Sequence, residues 1–166
     1  MSKFPRILVC LLLCCTIFCG CSAMPDSLEP IVVNEMDLTI SLPGYFENMV
    51  QNETAAQIEG FFMYGYNEII ITGVRDKYEL FDTVPTLEEY ANGLIENSQV
   101  LSQVEIVDGL TTFTYRQLDN MESYTYISAV FAGTDAFWMV SAGCKTINFD
   151  SARDKFVEIL KTTQVA

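Results

Sequence analysis

Between Gln103 and Lys145 apolar and polar residues alternate through four runs: VEIV (104–107), LTTFTYRQL (110–118), SYTYISAVFA (123–132) and AFWMVSAGCK (136–145). The turns between them are short and polar: Asp108-Gly109, Asp119-Asn120-Met121-Glu122 and Gly133-Thr134-Asp135. Asp-Gly between two alternating runs is a hairpin signature, because both residues tolerate the positive φ of a type I′ turn. The pattern predicts a meander of four antiparallel strands. In the simplest registers Val107 faces Leu110, Leu118 faces Ser123 and Ala132 faces Phe137. Val104, Ile106, Phe113, Tyr115, Tyr126, Val130, Phe137 and Met139 then share one face, apolar enough to be the main core. The opposite face is graded, from Gln103, Glu105, Thr112, Thr114 and Arg116 to Ile127, Ala129, Phe131, Trp138, Val140 and Ala142. A helix over its apolar half would complete an α/β/α sandwich and leave the polar half in water.

Upstream, residues 36–42 alternate as a strand that Pro43-Gly44 ends, and Tyr45, Phe46, Met49 and Val50 continue into a second extended segment. Residues 57–64 and 68–75 read as two further strands around Gly65-Tyr66-Asn67. Ile69, Ile70 and Ile71 are consecutive and β-branched, which predicts a strand covered on both faces inside a sheet. After a helical turn or loop over residues 76–84, Thr86 and Glu89 have capping-box spacing, each side chain satisfying a backbone N–H at the open helix end. Leu87, Tyr90, Ala91, Leu94 and Ile95 fall on one face of that helix, which should run to about Ser98. A second helix follows the meander, capped by Asn148 or Asp150. Its apolar stripe is Phe149, Ala152, Phe156, Ile159 and Leu160, ending near Thr162.

The N-terminal 20 residues have a different character. Lys3 and Arg6 precede an apolar run to Phe18 that is too short to span a bilayer by itself, the layout of a secretory signal. The ending Phe18-Cys19-Gly20-Cys21 resembles the lipobox of bacterial lipoproteins. That resemblance implies that Cys21 becomes the lipidated first residue, and its two acyl chains suffice for stable membrane attachment. Residues 21–34, with Pro25, Pro30 and no periodic pattern, would be a flexible tether, and residues 35–166 a single domain. Of six cysteines only Cys144 lies beyond Cys21, so no disulfide can form inside the domain and the fold must rest on its apolar core. The net charge is −13, and all 22 acidic residues lie beyond Gly20. Such a surface is repelled by phosphate backbones and anionic headgroups, which argues against a nucleic-acid partner.

The chain contains no histidine. Ser-His-Asp and Cys-His pairs are therefore excluded, and zinc loses its commonest nitrogen ligand. Cys144 has Lys145 as its only basic neighbour in sequence, which on an alternating strand points to the opposite face, so it reads as a buried, inert thiol. Asp119, Asn120 and Glu122 offer three oxygens on one turn, short of a calcium-loop pattern. Asn52-Glu53-Thr54 fits a glycosylation sequon that carries little weight in a bacterial lipoprotein. No phosphate-binding glycine loop is present, and no cofactor or metal is expected.

An early strand ending in LPGYF, the TLEEYA helix start, the hairpin at Asp108-Gly109-Leu110, the SYTYISAVF and AFWMV strands and a closing helix together resemble the PsbP-like superfamily. That group includes the extrinsic oxygen-evolving protein of photosystem II and many small bacterial lipoproteins. The resemblance spans nearly all of the chain after Asn34. It implies an α+β fold, an antiparallel sheet flanked by helices, and an accessory or binding role without a reaction. The photosystem members are associated with metal or halide retention by histidine and carboxylates, which a histidine-free chain does not match. The expected protein is thus a lipid-anchored extracytoplasmic domain on a bacterial membrane, without enzymatic activity. A surface around Arg116, Phe131 and Trp138 would dock a protein or cell-wall partner. The rival readings are a cell-wall glycan hydrolase using two carboxylates roughly 5 to 9.5 Å apart and a carrier of a small apolar ligand held between sheet and helix.

Overall fold

The computed structural model describes residues 29–50, 59–96, 102–119 and 121–166. The expected signal over residues 1–20, Cys21, the Asn52 sequon, Asn120 and the helix end at Ser98 lie outside them. Among the described residues, ten strands form two antiparallel sheets. The larger contains β3 (Glu47–Asn48), β4 (Phe61–Tyr66), β5 (Ile69–Lys77), β6 (Glu105–Val107), β7 (Leu110–Asp119), β8 (Glu122–Ala132) and β9 (Ala136–Lys145), in the order β3-β4-β5-β9-β8-β7-β6. The smaller joins β1 (Ile31–Glu35) and β2 (Leu38–Leu42) to β10 (Gln164–Val165) in the order β1-β2-β10.

The predicted meander is present as β6 to β9, in the registers expected: Val107 opposite Leu110, Leu118 opposite Ser123, Ala132 opposite Phe137. Asp108 and Gly109 both take positive φ, 51° and 85°, as the turn requires. The isoleucine strand β5 lies between β4 and β9, inside the sheet as expected.

Helix α1 (Leu87–Glu96) covers one face. Its capping box is formed: the Thr86 N–H donates to Glu89 Oε2 at 2.8 Å and the Glu89 N–H to Thr86 Oγ1 at 3.2 Å. Tyr90 and Ala91 pack there on Phe113, Tyr115, Tyr126, Val130, Phe137 and Met139, with Val104 partly buried beside them. Ile106, expected in that group, is 69% exposed because it lies on the short edge strand β6.

Helix α2 (Thr146–Lys161) shares the other face with the small sheet. Phe149, Phe156, Val157, Ile159 and Leu160 of the helix and Val33, Leu38, Ile40 and Leu42 of the small sheet enclose Ile127, Ala129, Trp138, Val140 and Ala142. The α+β sandwich is as expected, with a second sheet added to the α2 layer.

Several boundaries differ from expectation: Met36 and Asp37 form a turn ahead of β2, and Gly65 and Tyr66 pair within β4. The tether predicted through Asn34 gives way at Ile31, because Ile31-Val32-Val33 is a β-branched run that pairs with β2. Helix α2 starts directly off β9, with Lys145 at the cap and no side-chain cap bond. Asn148 and Asp150 lie inside it, and the Asn148 amide reaches Glu68 instead. Among the described residues no helix is long and apolar enough to cross a membrane.

Candidate functional site

The three residues expected to form a docking face do not form one. Trp138 is fully buried beneath the small sheet, its indole N–H donating to Asp37 Oδ1 at 2.9 Å. Phe131, directly opposite Trp138, is half-buried against the same core. Arg116 is exposed and sits opposite Thr125, six residues along β8 from Phe131 and so about 20 Å away. The graded face puts these residues on one side of the sheet, but the small sheet and α2 cover its apolar half.

Two charged clusters lie at opposite ends of the sheet. In the first, Arg75 on β5, whose side chain is only 4% exposed, reaches Asp135 in the β8–β9 turn and Asp37 in the β1–β2 turn. Its Nε lies 3.4 Å from Asp37 Oδ1, a charge contact without hydrogen-bond geometry, and Nε, Nη1 and Asp37 Oδ2 are all buried without a hydrogen-bond partner. Burial pulls the guanidinium pKa down, but the hydrogen bond and charge of Asp135, with the charge of Asp37, outweigh it and raise the pKa. Nearby, the Tyr78 hydroxyl donates to the Gly133 carbonyl at 2.8 Å.

In the second, Lys145 at the start of α2 bridges Glu68 and Glu122, each at 2.8 Å. The hydrogen bonds it donates to Glu122 and then Glu68 hold its ammonium well above the usual lysine range. Beside it the Thr146 hydroxyl lies 2.9 Å from both Thr125 Oγ1 and Ser123 Oγ, pinning the first turn of α2 to the outer half of β8. Cys144 is buried, and its thiol contacts the Lys145 carbonyl at 3.5 Å.

Beneath α1 there is a third polar group. The Tyr90 hydroxyl donates to Asp76 Oδ2 at 2.8 Å, and burial raises the Asp76 pKa against that bond. The Ser128 and Ser141 hydroxyls bond each other at 2.6 Å, and Tyr115 faces them without completing a well-formed bond of its own.

Among the described residues no group of three or more His, Cys, Asp or Glu is placed to hold a metal. Two carboxylates do converge at each end of the sheet, Asp37 with Asp135 and Glu68 with Glu122, but each pair grips a cation. Asp76, whose proton affinity burial raises, sits beneath α1 bonded to Tyr90.

No protein-family model matches the sequence, and no curated protein matches it. Solved structures do resemble the fold. One, from Bacteroides thetaiotaomicron, superposes with a TM-score of 0.53 at 13% identity over 82% of this chain and 48% of that one, so the chain spans about half its length. The Saccharomyces cerevisiae Ran-binding protein Mog1p gives 0.50 at 13% identity, over 84% of this chain and 96% of its own. The cyanobacterial PsbP of Synechocystis gives 0.49 at 8% identity, over 87% and 98%. The chain is therefore an α+β domain with the fold that Mog1p also adopts. At such identities the likeness extends to fold alone.

Proposed function

We propose that the chain is a lipid-anchored extracytoplasmic accessory domain that acts by binding through its surface and performs no reaction of its own. The observation that carries this reading is the Gly20-Cys21 ending of the apolar run, followed after nine residues by the first strand at Ile31. Nine residues reach at most about 30 Å, so a lipid on Cys21 would hold the domain close above a bilayer. Three features agree with a binding role. The chain has no histidine, its one described thiol is buried, and the converging carboxylates are committed to cations that join separate elements. Labelling a bacterial host with radioactive palmitate is the direct test. Label should enter the wild-type protein and be absent from Cys21→Ala, which should leave the membrane fraction. An unlabelled, freely diffusing wild-type protein would overturn the reading.

A further inference from the structure

We infer that the surface formed by Leu118, Met121 and the first turn of α2 docks a cationic amphipathic segment of a partner protein. This rests on the reading of the chain as a binding domain and names the surface it would use. Leu118, Met121 and Ile147 are 65%, 99% and 88% exposed. The fold brings them together: Leu118 lies opposite Ser123, Ser123 accepts the Thr146 hydroxyl, Ile147 is the next residue, and Met121 occupies the hairpin turn. Single exposed apolar residues are ordinary, but three large ones converging from two elements at one end are a candidate contact patch. The Lys145 bridge to Glu68 and Glu122 and the Ser123–Thr146 bond join the two elements beside the patch.

The occupant follows from charge. Asp119 and the exposed Asp150, one helical turn beyond Ile147, border the patch, and the neighbouring Glu68–Lys145–Glu122 cluster sets two carboxylates against one ammonium, leaving a net negative charge. Arg116 is exposed on β7 at the same edge. A second copy, strongly acidic like the first, and an anionic bilayer are both repelled, whereas a segment with leucines on one face and lysines on its flanks matches apolar centre and acidic border together.

The test titrates a synthetic leucine-lysine amphipathic peptide against the full chain in zwitterionic nanodiscs. The wild type should bind it, a leucine-glutamate counterpart should not bind, and the triple variant Leu118→Ser, Met121→Ser, Ile147→Ser should bind at least about tenfold more weakly. A distant acidic control, Glu79→Gln with Asp82→Asn, should bind as the wild type does. Unchanged affinity in the triple variant, or equal loss in the distant control, overturns the assignment. So does self-association that the triple variant abolishes, or binding to phosphatidylglycerol vesicles in place of the peptide. Because palmitate labelling reads the anchor and the peptide titration reads the patch, either can fail while the other stands.

Discussion

Tyr115 buries a hydroxyl completely while leaving it without a completed hydrogen bond, and burial pushes its pKa up to about 12, against smaller lowering contributions from Ser141 and Ser128. At neutral pH, Tyr115→Phe removes a polar atom that gains little from its surroundings. Stability should stay the same or rise by up to about 1 kcal/mol, read from the urea midpoint. A loss above about 1 kcal/mol would mean that the Ser128–Ser141 pair does bond the phenol. The same group fixes an alkaline response. Its folded pKa lies above the unfolded value of 10.0, so the unfolded chain releases this proton first. The contribution is therefore fully present below pH 10 and is lost as pH rises from there towards 12. Tyr90, raised well above its usual value by burial and then by the Asp76 charge, and Tyr78, raised by burial, act in the same direction. Stability should fall steeply above about pH 10, and the fall should be shallower in Tyr115→Phe. Tyrosinate absorbance recorded alongside unfolding checks both points.

At the scale of elements, two cross-strand pairs place an aromatic ring over a glycine: Phe62 opposite Gly73 and Tyr126 opposite Gly143. A Cβ at Gly73 would stand 2.0 Å from Phe62 Cε1, and one at Gly143 would stand 2.3 Å from Tyr126 Cδ1. Gly73→Ala and Gly143→Ala should each cost about 1–3 kcal/mol through overpacking. In a Phe62→Ala background the Gly73→Ala penalty should largely vanish, because the three nearest atoms to that Cβ all belong to the Phe62 ring, whereas at Gly143 the Thr125 carbonyl, 2.7 Å from the Cβ, would keep part of the penalty in Tyr126→Ala; a Gly73 penalty that persists would place its cause elsewhere. The sequence places both glycines inside strands without saying which ring covers them. What it does make legible is local. Asp108-Gly109 sets one hairpin and its register, and Thr86 with Glu89 sets the start of α1, because the partners lie within a few residues. Pairings between distant segments are not written locally. Nothing in residues 164–165 announces that β10 will close the small sheet on β2, nor does β5 announce β9 as its neighbour. Trp138 likewise lies under a cover that its own strand does not signal, assembled from both ends of the domain.

At the scale of the whole molecule, Arg75 is where those distant pieces are fastened. Its guanidinium joins β5 of the large sheet to the β1–β2 turn through Asp37 and to the β8–β9 turn through Asp135. Asp37 in turn takes the Trp138 indole on its side chain and the Ala166 N–H on its carbonyl, so one turn gathers both sheets and the C-terminal strand. The two carboxylates are not equivalent. Asp135 is 65% exposed and its loss is compensated by water, so Asp135→Asn should cost under about 1 kcal/mol. Asp37 is 20% exposed, and without Arg75 its carboxylate keeps one indole donor for a largely buried charge. Arg75→Ala should therefore cost about 2–4 kcal/mol, within what breaking a buried pair costs once partial solvation is allowed for. The loss should also be uneven. Amide hydrogen exchange should accelerate in β1, β2 and β10, whose attachment depends on the Asp37 turn, before it does in β7 and β8, which are held by each other and by α1. Uniform acceleration across both sheets would show that the small sheet is held by its apolar face on Trp138 and α2 alone, and that the buried arginine adds nothing to the join.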